Sequence, residues 1–515
     1  HPMARPPFHP PRRRARFVPS AAILSLILVG CLASAALAQD AEPRGPVADR
    51  HAPKLQAAHN RVQNGNVAAA VALLDEVLGD RPSETAEHTA ALLRSQITGE
   101  FKPRQAYWRD RKVADQVVLV DDTREFLAAI DQWTDEVFWP VLFDDDWFAP
   151  LFIEAFKPNS VLRFDADHAD GAALEGEALR ERVMLWLHRH NGRVQRLISD
   201  HPPRPGVVLV SPTQPVGLGG LALAMGRLQP IVVIDDPPDP QGEFDLKKLS
   251  QLNVGVLLAA QRWQVLREGQ WCGITLAAEL PTRYSMPKEA VSKKGHERRA
   301  VDDLLGRTRQ GRRLAVVGRL MGPAERSVYQ AMASLFLQPK TALMVNTYGD
   351  RKGRPWTDYD QQKAADLLSE RYDVVALVGD TATGPHVRRA TRPVSPFDMV
   401  WVNSSGGGHR WTIQGGGDPS DLPIGRPAAV HMVHSYSLSN AWSDRTVAGW
   451  MIAGGAYWYY GSLDEPYLPA FNRPTGMAVK IMAGTPMAFA ARKPTGLPLS
   501  QPWRLALIGD PLYTL

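Results

Sequence analysis

The last third of the chain carries the residue types that acyl-transfer chemistry uses, each placed just after an apolar run. Met399-Val400-Trp401-Val402 opens into Asn403-Ser404-Ser405-Gly406-Gly407-Gly408-His409. Ala428-Ala429-Val430-His431-Met432-Val433 opens into His434-Ser435, and Ala456-Tyr457-Trp458-Tyr459-Tyr460 leads to Gly461-Ser462-Leu463-Asp464-Glu465. A hydroxyl, an imidazole and a carboxylate within reach of one another make a nucleophile, a base and an orienting acid. Ser435 or Ser405 would attack, His409 or His434 would take the proton, and Asp464 or Glu465 would hold the imidazole. Ser404, Ser405, Gly408 and Asp464 would line the cleft, with backbone N–H groups of the glycine turn facing a developing oxyanion. The plain alternative for each histidine is an ordinary core or loop imidazole. His409, His431 and His434 do not suggest a metal site, because strand residues three apart face opposite sides. No metal and no cofactor is expected.

Such residues need strand ends to hold them, and open α/β sheets place their sites there. From Thr341 onward, strand-like runs (342–345, 374–378, 399–402, 428–433, 456–460, 505–508) alternate with helical stretches (360–370, 445–453). Two earlier segments echo each other. Val117-Val118-Leu119-Val120 precedes an amphipathic helix and Pro140-Val141-Leu142-Phe143-Asp144-Asp145; Val207-Val208-Leu209-Val210 precedes Leu218–Leu228 and Pro230-Ile231-Val232-Val233-Ile234-Asp235-Asp236. Third strands are expected at Val161–Phe164 and at Val254–Leu258. Short apolar runs separated by helix-length segments describe strand–helix–strand units, so the reading is α/β with tandem Rossmann-like units at 105–200 and 205–340. Gly217-Leu218-Gly219-Gly220 has the wrong spacing for a dinucleotide fingerprint and reads as a helix entry. The acids at 144–146 and 235–236, and the basic stretch Lys293, Lys294, Arg298, Arg299, Arg307, Arg309, Arg312, Arg313, read as solvated loops and a solvated face. Residues 39–104 form a short helical segment, with one tetratricopeptide-like hairpin about Asn64-Gly65-Asn66.

The first 38 residues combine Arg12, Arg13, Arg14 and Arg16 with an apolar run from Ala21 to Ala38 ending Ala36-Leu37-Ala38. That is the pattern of a secretory signal. Leu28-Val29-Gly30-Cys31 also has the form of a lipobox, the alternative being a lipid anchor at Cys31. Five of the 59 basic residues lie in this leader, leaving 54 against 54 acids, so no general electrostatic attraction to nucleic acid or anionic membrane follows. Membrane association is expected only through Cys31. Of two cysteines only Cys272 lies beyond the leader, so the exported chain has no intrachain disulfide and relies on its core. Periplasm, cell surface or medium is the expected location.

Several landmarks, in order, resemble the catalytic region of the gingipain family of cysteine peptidases. They are Ile274-Thr275-Leu276-Ala277 with Leu280-Pro281-Thr282-Arg283-Tyr284, Asp302-Asp303 with Val317-Gly318-Arg319-Leu320, the helix 324–336, the strand 342–345, Gly461-Ser462 and the terminal Gly509-Asp510-Pro511. The resemblance spans Val207 to Leu515. It implies a caspase-like, doubly wound α/β domain at 341–515, with 205–340 as the family's first subdomain. The family's histidine turn reads Val-Asn-x-x-Gly-His-Gly; here Gly407 stands at the histidine position, and His434 at the position of the cysteine nucleophile. Cys272 cannot replace it, since it precedes the Leu280–Tyr284 turn. The resemblance therefore implies the scaffold without the peptidase: an exported, catalytically inactive module that binds a peptide or a cell-surface polymer. The other reading is a hydrolase with relocated Ser/His machinery, using Ser435, His409 and Glu465 in the same cleft.

Overall fold

Local signals set the helical start of the chain. In α1 (Ala52–Gln63) a proline sits in the first turn; α2 (Val67–Gly79) is capped by Asn66, which accepts the Ala69 N–H at 3.2 Å; α3 (Glu84–Thr98) is capped by Ser83 and stops at Gly99, φ +77°. The computed structural model describes residues 49–101, 111–164, 176–200, 206–263, 265, 272–291, 297–308, 311–349, 353, 355–393, 395–493 and 504–515. The expected leader with Cys31, and Lys293, Lys294 and Arg309 of the basic stretch, lie outside the described residues. The three helices share a core of Leu55, Ala58, Val62, Leu74, Leu93 and Ile97, to which the rest of the chain contributes Val479.

The first echo unit follows as β1 (Lys112–Val113), β2 (Gln116–Val120), α4 (Thr123–Asp131), β3 (Val137–Phe138), β4 (Val141–Phe143), α5 (Phe148–Phe156) and β5 (Ser160–Arg163). After α6 (Gly176–Asp200), the second runs β6 (Gly206–Val210), α7 (Gly217–Arg227), β7 (Ile231–Val233), α8 (Leu246–Arg262) and β8 (Cys272–Ala277). The echo is structural as well. Both units place the first strand between the second and third, all parallel, as β4-β2-β5 and β7-β6-β8. Val118 N donates to Pro140 O at 2.9 Å, and Val208 N to Pro230 O at 3.0 Å.

One expected strand is absent. Residues 254–258 lie inside α8, whose buried positions Leu249, Asn253, Val256 and Ala260 recur every three to four residues, while Val254 and Leu258 are half exposed. The apolar run had two polar-facing members, so its period was helical, and the third strand is β8.

The chain continues through β9 (Arg283–Ser285), β10 (Arg298–Ala300), α9 (Val301–Leu304), β11 (Ala315–Arg319), α10 (Ala324–Phe336), β12 (Thr341–Asn346), α11 (Gln362–Leu368), β13 (Asp373–Leu377), α12 (Gly384–Thr391) and β14 (Met399–Asn403). It ends with β15 (Gly406–Gly407), β16 (Arg410–Trp411), β17 (Ala428–Val433), α13 (Val447–Ala453), β18 (Ala456–Ser462), α14 (Pro474–Met482), α15 (Met487–Ala491) and β19 (Leu505–Ile508). Among the described residues this is a mixed α/β chain with fifteen α-helices, none long and apolar enough to cross a membrane.

The second unit and the last third share one ten-stranded sheet, ordered β13-β12-β14-β17-β18-β19-β11-β8-β6-β7. Every described pairing in it is parallel except β18 with β19. The sheet therefore has two parallel halves running in opposite directions, and their carboxyl ends lie at opposite edges. Alternate residues divide between faces: Val208, Val210, Met344 and Trp401 enter one continuous core, while Val207 and Leu209, and Val400 and Val402, enter two clusters on the other face.

Other loop expectations resolve into packing and ion pairs. Asp145 accepts the N–H groups of Trp147, Phe148 and Ala149 and so caps α5, and Asp144 pairs with Arg163. The basic stretch is only partly a solvated face. Arg313 is 2 % exposed and, with Arg307 and Arg492, surrounds the buried Asp303, while Arg319 binds Asp302 at 2.6 Å. Each of these arginines reaches a carboxylate. Burial and the three guanidinium groups act on Asp303 in opposite senses, and the guanidinium groups prevail, holding its carboxyl far below the usual range.

Gly217 to Gly220 bring α7 close to its neighbours. A Cβ on Gly219 would sit 2.3 Å from the Ser327 carbonyl oxygen of α10, and one on Gly220 would sit 2.3 Å from Ala277 Cβ. Gly219→Ala should therefore lower the unfolding free energy by about 1–3 kcal/mol, read from the denaturant midpoint, because backbone must move to admit it.

Candidate functional site

The carboxyl edge of the half containing β12, β14, β17 and β18 brings the sequence candidates together. Within it β12 lies between β13 and β14, and α11 and α12 pack on opposite faces, so the winding reverses beside β12 and β14. Such a reversal is where open sheets leave a crevice. At this edge Asn346 is paired with Asn403, and Thr347 N donates to Asn403 O at 3.0 Å.

The glycine-rich turn is a closed hairpin, with Gly406 opposite Trp411 and Gly407 opposite Arg410. Ser404, buried, organises it. Its hydroxyl accepts the Thr412 N–H at 2.9 Å and lies 3.0 Å from the Ser405 and Thr412 carbonyls, while its own carbonyl accepts the Tyr348 hydroxyl at 2.6 Å. Ser404 is a structural pin. Ser405 accepts the Thr412 N–H at its carbonyl, 2.7 Å away. Beyond β16 the chain remains ordered around Asp421, whose carboxylate takes the N–H groups of Gly417 and Asp418 and the Arg388 guanidinium.

His434 fills the space beneath this hairpin. It is 2 % exposed, and its Nε2 lies 2.9 Å from the Gly407 carbonyl. A carbonyl only accepts, so Nε2 carries the proton and Nδ1 the lone pair. Burial holds the imidazole below its ordinary value, opposed by that carbonyl, which favours the protonated form. Gly406, at φ +146°, admits the ring: a Cβ there would lie 2.7 Å from His434 Cε1. Gly408 presses on the next turn, where a Cβ would lie 2.4 Å from Ser439 Oγ. Gly407 alone faces open space.

The other candidates lie nearby, and the Glu465 charge acts on the His434 imidazole. His409 is exposed at the hairpin tip, with Nδ1 3.0 Å from the Arg445 carbonyl. Ser435 is half-buried and takes part in neither imidazole's hydrogen bond. His431 points into the core, stacked 5.7 Å from Tyr460, and burial pushes it down to about 3. Asp464 Oδ1 accepts the Glu465 N–H at 2.9 Å, and Glu465 Oε1 accepts the Tyr467 N–H at 3.1 Å. No nucleophile–base–acid chain joins these groups. Among the described residues no group of three histidine, cysteine or acidic side chains is arranged to hold a metal.

What the edge offers a ligand lies one loop further out. An open groove of about 480 Å³ runs between Asp464 and the β9–β10 hairpin, lined by Ser285, Met286, Lys288, Glu297, Arg298 and Asp464. Arg283 ties the two sides together by donating to the carbonyls of Ser439 and Leu463. Beside Asp464, Tyr436 and Tyr467 are 38 % and 49 % exposed and have φ of +60° and +59°. Bulky residues seldom occupy that region, and holding them there costs about 1 kcal/mol or more apiece. Of the residues lining the groove the sequence marks Asp464 as a site candidate and Arg298 only as part of a basic, solvated face. The β9–β10 segment belongs to a different part of the chain, and no local pattern announces its approach to Asp464.

Ser404→Ala should remove one of the two acceptors of the Thr412 N–H, leaving the Ser405 carbonyl, and destabilise the chain by about 1 kcal/mol, with the tryptophan signal of Trp411 changing below the main thermal transition. An unchanged melting profile would show that the hairpin does not need the pin. No protein-family model, curated protein or solved structure matches the chain.

Proposed function

We propose that this chain is an exported, gingipain-like protein on a caspase-like scaffold that binds a peptide or a cell-surface polymer without cleaving it. One observation carries the reading, the 2.9 Å contact between His434 Nε2 and the Gly407 carbonyl. By the resemblance these two positions are those of the family's nucleophile and base, and they meet across neighbouring strand ends. Their occupants cannot repeat the family's chemistry. Glycine supplies no general base, a contribution typically worth ~10²–10⁴ in rate, and His434 is buried with one nitrogen engaged by a carbonyl. Ser435 takes part in neither imidazole's hydrogen bond.

Binding is assigned to the groove beside Asp464. It carries both charge signs, Lys288 and Arg298 against Glu297 and Asp464, with Met286 between them. A segment with polar and apolar groups, such as an extended peptide, suits that lining. Two tyrosines held exposed at positive φ next to it favour contact with a ligand over packing.

The test is retention and mass analysis of a peptide mixture from digested casein passed over the immobilised protein. Retained peptides should be intact after overnight contact, and Asp464→Ala should cut retention at least fivefold. Cleavage abolished by Ser435→Ala or His434→Ala would establish the relocated hydrolase instead; failure to retain any peptide would remove peptide binding.

A further inference from the structure

The N-terminal helices dock on α14 and α15 through contacts unlike those of their own core. Gln63 donates to Asn472 Oδ1 at 3.3 Å and accepts the Arg473 N–H at 2.6 Å; Arg473 reaches Asn64 at 2.9 Å; Thr485 donates to the Gln96 carbonyl at 2.9 Å. Gly476 lets the seam close, since a Cβ there would sit 2.6 Å from Gln63 Nε2. Beneath these polar pins lie three basic groups. His59 of α1, Lys480 of α14 and Lys493 after α15 are 2 %, 0 % and 8 % exposed. Among the described residues Lys480 Nζ and His59 Nδ1 have no hydrogen-bond partner, and Lys493 Nζ donates to the Pro469 carbonyl.

Among the described residues no hydrogen bond or ion pair joins them to a carboxylate. The charges acting on His59 are Lys480, Lys493 and Arg473, and those on Lys493 are Arg473 and Lys480. Acids on the packed elements are engaged elsewhere: Asp358 with Arg473, Asp366 with Gln362, Glu76 with Lys54, Asp75 and Glu100 with Arg94, and Glu84 with Arg312. His51, at the far end of α1, lies beside Arg50 and Asp80.

We propose that His59, Lys480 and Lys493 make the docking of the helical body α1–α3 an acid-sensitive latch, which releases that body as these groups take up protons. The buried core of this body is built from its own three helices apart from Val479 of α14. Charging two or three like groups in a seam without a counterion favours the state in which water reaches them.

The direction follows from linkage. Burial lowers Lys480 and Lys493 from 10.5 to about 7, so the released state holds more protons between those values. Docking weakens as pH falls through that window and changes no further below it on their account. Burial, then the neighbouring cations, holds His59 well below 6.5, so its share of the weakening begins as pH drops under 6.5. Each group changes the opening equilibrium by up to about tenfold per pH unit within its window.

Hydrogen exchange of the full chain, with protection factors corrected for the intrinsic pH dependence of exchange, reads the latch. Protection of amides in 52–63 should fall at least tenfold more between pH 8.5 and 6 than that of amides in β12 and β14. In the Lys480→Met/Lys493→Met double variant that excess should shrink below threefold. The narrower variant His59→Phe should keep the excess between pH 8.5 and 7 and lose the part below 6.5. Equal pH dependence of α1 and the central strands in the wild type, or an undiminished excess in the double variant, would overturn the proposal.

Discussion

The pairing on which the rest of the molecule depends is the antiparallel ladder between β18 and β19, Tyr459 with Ile508 through Ser462 with Leu505. It places the last strand of the chain in the middle of the sheet, between β18 and β11, and joins two parallel halves that would otherwise be separate. The inserted strand is secured from both sides. Asp510, fully buried, pairs with Arg227 of α7, and Gly318 has no Cβ because one would sit 2.2 Å from the Gly509 carbonyl oxygen. Arg492 donates to the Leu505 carbonyl and pairs with Asp303, so the arginine–aspartate cluster also bears on this strand. Breaking such buried pairs from one side leaves an uncompensated charge, typically a cost of ~3–5 kcal/mol.

Reversal of direction at that ladder gives the sheet two carboxyl edges instead of one. At the edge of the β6–β8 half, the entry of α7 is packed against α10 and β8, and its glycines serve close approach. At the other edge the crevice at β14 and β17 is occupied by the protein itself, with His434 under the Gly406–Gly407 hairpin. At the outer margin of this second edge, an open groove lies where Asp464 faces the β9–β10 hairpin. The interior of this strand-end crevice is thus filled by packing.

Much of this was legible in the sequence. The echoed units were, because alternating apolar runs and turn residues are local signals, and both units fold with one topology. The placing of Ser404, Gly407 and His434 at neighbouring strand ends was legible for the same reason. Residues 254–258 were misread because five apolar positions fit either period, and the deciding residues, Leu249 and Ala260, lie outside the run. Fusion of the second unit with the last third into one sheet was hidden, since β11 meets β19 across nearly two hundred residues. The buried arginines were hidden too: Arg313 looks like its exposed neighbours until Asp303 and Arg492 are brought to it. Lys480 and Lys493 carry no sequence signal at all, as nothing local marks a lysine whose environment lacks an acid.

His434 is a structural imidazole, hydrogen-bonded through Nε2 to the Gly407 carbonyl and held by burial below its ordinary value. Nitrogen-15 NMR of the histidine side chains, followed as a function of pH, tests this assignment most directly. The His434 ring should be the Nε2–H tautomer with a titration midpoint below 6.5. A freely titrating ring with a midpoint at or above 6.5, or an Nδ1–H tautomer, would contradict it.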